Sequence, residues 1–104
     1  MAWIYLCAAG IMEIAWAISL KLSQNFSQPV PTITFIISAI LSIVLLSLAL
    51  KTLPVGTAYA VWTGIGACGV ATIGIIFLND SASPLRIAFL LMIAGGIIGL
   101  KLTA

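Results

Sequence analysis

Four long apolar runs, separated by three short polar stretches, make up nearly the whole chain. The first covers about residues 3–20 and stops at Lys21. The second, about 32–50, follows the polar stretch Ser23-Gln24-Asn25-Phe26-Ser27-Gln28-Pro29 and stops at Lys51. The third, about 55–78, begins after Thr52-Leu53-Pro54, and the fourth, about 85–103, after Asn79-Asp80-Ser81-Ala82-Ser83-Pro84. A run of about 20 apolar residues makes about 30 Å of helix, enough to cross a bilayer core. The fourth run is the weakest, with 14 uncharged residues between Arg86 and Lys101. It crosses if both long side chains reach back to the interfaces. Pro29 and Pro31 close the first loop, Pro54 and Pro84 open helices, and Asp80 is expected as a solvated cap residue. The pattern predicts an all-α membrane protein, a four-helix antiparallel bundle forming a single domain over residues 1–104.

Composition narrows the class. Of 104 residues, 63% are hydrophobic and 6% charged, and there is no His. Soluble domains carry about 25% charged residues, so no soluble domain fits here. No cluster of Lys or Arg exists, so a nucleic-acid partner is not expected. Cys7 and Cys68 lie far apart inside apolar runs, without metal-ligand spacing, and read as small hydrophobes. No nucleophile–base pair stands out, so neither an enzyme, a cofactor nor a metal is expected. Ala15-Trp16-Ala17 superficially matches a signal-peptidase site, but no basic segment precedes it and cleavage is not expected.

Candidate chemistry gathers around Glu13. It is one of two acidic residues and stands in the middle of the first run, near the membrane midplane. A carboxylate there costs at least ~2.5 kcal/mol on insertion scales, which makes it a functional candidate by default. The bland alternative is a protonated Glu that glues helices together. Ala9, Gly10, Trp16 and Ala17 share its helical face. Gly10 leaves room for a ligand or a crossing helix, and Trp16 offers an indole N–H to a carboxylate. Ser42 falls at a similar depth in the second run, and Tyr59 and Trp62 give the third an aromatic wall suited to a cation. The alternative for these two aromatics is an interfacial belt or core.

The basic residues are balanced. With four spans, Lys51 and Lys101 lie on one side and Lys21 and Arg86 on the other. Orientation normally follows an excess of Lys and Arg on the cytoplasmic side. Here no excess exists, so insertion in both orientations is expected, and with it pairing of the chain with an inverted copy. Four helices are too few to enclose and seal a polar chamber, whereas eight suffice. Gly95 and Gly99 form a GxxxG pair in the fourth run, a dimerisation candidate. Gly64 and Gly66 give the third run a candidate hinge.

The length, four spans, Glu13 and the segment Gly56-Thr57-Ala58-Tyr59-Ala60-Val61-Trp62-Thr63-Gly64-Ile65-Gly66 resemble the small multidrug resistance family of transporters. Within it, Gly10, Trp16, Ser42 and the ending Gly99-Leu100-Lys101 are similar to a guanidinium-exporting branch. One departure is Asn79-Asp80, where relatives commonly carry Gly-Glu or Lys-Glu. The resemblance implies an antiparallel, dual-topology homodimer in the bacterial inner membrane that exchanges cations for protons. Glu13 from both copies would bind protons or guanidinium, titrating as a coupled pair. Gly10, Trp16, Ser42, Tyr59 and Trp62 would line the site. Guanidinium, planar and rich in N–H donors, matches carboxylates as an Arg side chain does. Alternatives are polyspecific quaternary-ammonium export, one half of a heterodimer, or a small regulatory membrane subunit.

Overall fold

The computed structural model describes residues 1–103. It contains four helices: α1 (Ala2–Leu22), α2 (Pro29–Ala49), α3 (Val55–Phe77) and α4 (Pro84–Thr103). All four are long and apolar enough to span a membrane. This is a multi-pass membrane protein.

Helix ends agree with the hydropathy pattern to within one or two residues, except at the start of α2. That helix begins at Pro29, three residues earlier than the pattern predicts. Its first turn absorbs both Pro29 and Pro31, because the first N–H groups of a helix have no carbonyl partner to lose. The Thr32 N–H bonds the Gln28 carbonyl at 3.1 Å, closing that turn. Gln24, Asn25 and Phe26 are left-handed, with φ of 47°, 64° and 67°. Buried Ser23 holds this tight reversal. Its hydroxyl donates to the Leu20 carbonyl at 2.7 Å and accepts the Phe26 N–H at 3.2 Å. Phe26 thereby folds onto Phe35, which meets Trp16 edge-on at 6.0 Å.

Asp80 is not the cap of α4. Ser83 takes that role, its hydroxyl accepting the Arg86 N–H at 3.3 Å and its carbonyl the Ile87 N–H at 3.0 Å. Asp80 instead folds back over the end of α3. Asn79, with φ 60°, turns the chain so that the Leu78 and Asp80 N–H groups both reach the Gly74 carbonyl, at 3.0 Å each. Asn is the residue after Gly that best tolerates this backbone region, so Asn79 can close the loop. The missing side chain at Gly74 makes room for the Asp80 carboxylate, which a Cβ there would displace.

The helices do not close into the bundle that four short-looped spans suggest. They stand in a row, α2–α1–α3–α4, with α2 barely touching α3 and α4 packed chiefly against α3. The chain measures 41 × 35 × 16 Å, a slab little more than one helix thick. Its apolar core lies at one end, where Leu6, Ala49, Ala58 and Val61 are buried among Trp3, Leu46, Leu53 and Leu100. Lys101 sits over the Trp3 ring at 5.6 Å and ties α4 to α1 at that end. α4 buries no residue at all.

Candidate functional site

Away from that core, α1 and α3 stay in contact, with Ile14 against Gly69, but leave a groove on one face. A cleft of about 410 Å³ opens between them, lined by Glu13, Trp16, Ala17, Thr63, Gly66, Ala67, Val70, Ala71, Asp80 and Arg86. The close approach at its inner end depends on Gly66. A Cβ on that residue would collide with the Glu13 carboxyl group, so Glu13 rests directly against the α3 backbone. Glu13 Oε1 and Trp16 Nε1 are both buried and neither has a hydrogen-bond partner. Buried polar groups are nearly always partnered, so this acceptor and this donor at one place mark a site awaiting something. The indole N–H cannot accept, and an ionised carboxylate cannot donate. A cation bearing N–H groups would satisfy the carboxylate.

The other sequence candidates fall in a second cluster. Ser42 is fully buried, and its hydroxyl donates to the Ala9 carbonyl at 2.7 Å. It accepts the Trp62 indole N–H at 3.0 Å. One serine thus ties α1, α2 and α3 together, and in this conformation its proton goes to a backbone carbonyl rather than to Glu13. Tyr59 is 56% exposed and lies against Trp62, with ring centroids 5.6 Å apart. Trp62, Tyr59 and Ser42 do not border the Glu13 cleft within the single chain. Neither does Gly10, whose open face is filled by Ile65. A Cβ there would come within 2.6 Å of the Ile65 side chain, so Gly10 serves the α1–α3 contact. Gly64 is filled likewise, by Ile97 of α4 at 2.8 Å from a would-be Cβ. Gly95 and Gly99 face open space, with nothing within 4 Å.

Sequence reasoning missed the outer half of the cleft. Thr63, Ala67, Val70, Ala71 and Gly74 recur at helical spacing on α3, so the stripe could have been found by extending the Thr63–Gly66 face. Asp80 and Arg86 at its far end carry no such signal, since a loop acid and a first-turn Arg look like ordinary interfacial charges.

The fold and this cleft define a class: a small multi-pass membrane protein with one acidic side chain held unpaired inside its spans. A family model described as Small Multidrug Resistance protein matches residues 1–93. The chain is 55% identical over 104 residues to a guanidinium exporter of Salmonella typhimurium strain LT2, covering 100% of this chain and 99% of that protein. It is 55% identical over 103 residues to a guanidinium exporter of Citrobacter freundii and 52% identical over 103 to one of Escherichia coli strain K12. Each pairing covers 99% of this chain and 98% of the relative. The chain belongs to the small multidrug resistance family.

Proposed function

We propose that this protein exports guanidinium across the bacterial inner membrane in exchange for protons, as an antiparallel homodimer in which both copies of Glu13 form the exchange site. The observation that carries the proposal is the half-buried Glu13, its Oε1 unpartnered, in one cleft with the unpartnered Trp16 indole N–H, in a chain more than half identical to proteins named guanidinium exporters. The whole chain, residues 1–104, acts as one transporter domain.

The slab shape supports a second copy. A layer little more than one helix thick cannot seal a polar site from lipid on both faces. Gly95 and Gly99 leave α4 free to approach another helix closely. Lys51 and Lys101 balance Lys21 and Arg86, so nothing in the charges opposes insertion of the two copies in opposite senses. Pairing would bring Tyr59 and Trp62, exposed or half-buried in the single chain, toward the shared site as an aromatic wall.

The exchange follows from charge. Two carboxyl groups sharing one cavity hold either two protons or one cation, and coupled titration makes the states exclusive. One guanidinium leaves as two protons enter, so each cycle imports one net positive charge. A negative-inside potential then drives export. Trp16 sets the size of the cation admitted, and Gly10 and Ser42 fix the helices that hold Glu13 in place. No bond is made or broken in the transported ion, so the activity is transport, not catalysis. For the two states to alternate, α3 bends about Gly64 and Gly66 while Ile97 slides over the open face of Gly64.

The test is reconstitution of the chain alone in liposomes, with guanidinium uptake driven by an imposed pH gradient. Wild type should transport and Glu13→Gln should not. Proton-driven uptake by the Gln variant would refute the assignment. A panel of tetraalkylammonium ions separates guanidinium export from polyspecific export, and an inert chain would favour a regulatory subunit.

A further inference from the structure

The Glu13 cleft has an outer end that the exchange mechanism leaves unused. About 12 Å along α3, eight residues from Gly66, Gly74 makes room for the carboxylate of Asp80. Asp80 Oδ2 lies 3.8 Å from Arg86 Nη2, and both side chains are about 40% exposed, 43% and 39%. Both line the same cleft as Glu13. Ala67, Val70 and Ala71, with no charged or strongly polar atom, form the floor between the two carboxylates.

Three features of this pair are unusual for a structural salt bridge. The Arg86–Asp80 contact is a single long one, where a committed Arg–carboxylate pair makes two parallel bonds near 2.8 Å. Arg86 lies in the first turn of α4, where the helix dipole disfavours a cation. And the group that Asp80 holds is itself a guanidinium, the chemistry of the proposed substrate.

We propose that Asp80 is a second cation site, an outer station at the cleft mouth that takes a free guanidinium-type cation by displacing Arg86. The proposal rests on the export reading above and adds a site to it. Asp80 is held by Arg86 only loosely, so a free guanidinium can compete for the carboxylate and make the paired bonds that Arg86 does not. Arg86 then acts as a tethered competitor. It occupies Asp80 between passages and repels an arriving cation onward, toward Glu13 or out of the cleft. The apolar floor offers no intermediate stop, so the two carboxylates are the stations of the path. Asp80 serves passage between the aqueous side and Glu13; it does not take part in proton exchange.

The experiment compares purified wild type, Asp80→Asn, Asp80→Glu and Arg86→Gln in liposomes. Guanidinium is varied to give kcat/KM, and equilibrium Kd is measured separately. Arg86→Gln is carried together with Gln28→Lys, so that two basic residues remain on each side. Asp80→Asn should lower kcat/KM about fivefold, the worth of an exposed ion pair, with Kd at Glu13 little changed. Asp80→Glu should keep most of the rate. Removing Arg86 should raise kcat/KM by a similar factor, and the combination with Asp80→Asn should behave as Asp80→Asn alone. A pair that merely staples the loop predicts the reverse for Arg86: both single changes would lower activity together. That result, or no change in either, overturns the station. If Asp80→Asn fails to fold, the Arg86 variant decides the matter: a raised kcat/KM supports the station, and a lowered or unchanged one overturns it. Wild type that carries no guanidinium overturns the export reading itself. Glu13-dependent transport with Asp80 and Arg86 moving alike overturns only the station.

Discussion

Gly66→Ala should leave the fold intact and damage the site. A Cβ built on Gly66 meets the Glu13 carboxyl, 2.5 Å from Cδ and 2.9 Å from Cγ. These atoms are the end of a flexible side chain, so α1 and α3 need not separate; Glu13 swings aside instead. Overpacking of this kind costs about 1–3 kcal/mol. Ala in place of Gly returns up to about 1 kcal/mol in a helix interior. The net effect on the fold is therefore a destabilisation of about 0–2 kcal/mol, while the displaced carboxyl carries the functional loss. Guanidinium affinity should fall roughly five- to 150-fold, the range that 1–3 kcal/mol spans. The assay is calorimetric titration of detergent-solubilised protein with guanidinium, beside thermal unfolding of both variants. Expected are a weaker Kd and a midpoint at or somewhat below that of wild type. An unchanged Kd would mean that Glu13 does not rest against Gly66 when it binds, and the cleft as described would not be the binding site.

Gly64→Ala, by contrast, meets the side chains of Ile97 and Ile93 on α4, and should slow turnover while leaving guanidinium Kd nearly unchanged; a weakened Kd at wild-type turnover would remove Gly64 from the hinge. Trp16→Gly should admit larger ammonium ions with proton exchange preserved, and loss of guanidinium transport without any new substrate would refute the selectivity role. Ser42→Ala strands the Trp62 indole N–H and should cost about 1 kcal/mol of stability, read as a lower unfolding midpoint; an unchanged midpoint would mean the three-helix tie is not formed. A topology reporter at the C-terminus should report both orientations, and two Lys added beside Lys21 should abolish one of them; a single orientation in the unaltered chain would contradict the dual-topology reading.

The spans were legible because membrane helices are defined by length and hydropathy, and α1, α3 and α4 begin and end almost where the apolar runs do. The start of α2 was not, because two prolines read as loop when they fall in a first turn that has no hydrogen bonds to lose. The arrangement of the helices was less legible still. In a soluble protein the apolar stripe of a helix points to its neighbours. Here lipid and core are both apolar, so the pattern along α2 or α4 does not say which face packs, and a row looks the same as a bundle. Glu13 and Trp16 stood out because an acid and an indole are rare company at mid-membrane. The tie from Ser42 to Ala9 did not, because its acceptor is a backbone carbonyl, which every residue carries. Gly10 and Gly66 show the same difficulty from the other side. A glycine announces a close approach but not the group that approaches, which is Ile65 at one and the Glu13 carboxyl at the other.

That close approach at Gly66 joins two requirements in one residue of α3. The proposed proton exchange would need Glu13 released from any permanent donor, and the structure leaves Oε1 without one. It also needs the carboxyl kept from lipid, and the bare backbone at Gly66 supplies that cover without offering a side chain to bind it. A Ser at this position would provide a donor and hold the acid. An Ala would push it away. Gly does neither, and the cost of a glycine within a helix, about 1 kcal/mol, is small beside that of exposing a charge to hydrocarbon. The core at the opposite end of the slab, built from Leu6, Ala49, Ala58 and Val61, then holds α1 against α3. If the protomer pairs with an inverted copy, each tight end lies beside the other's open end. The cleft of one chain would then be walled by a partner rather than by lipid. The exposure of Tyr59, and of α4 along its whole length, has a physical reason in that arrangement that it lacks in the single chain.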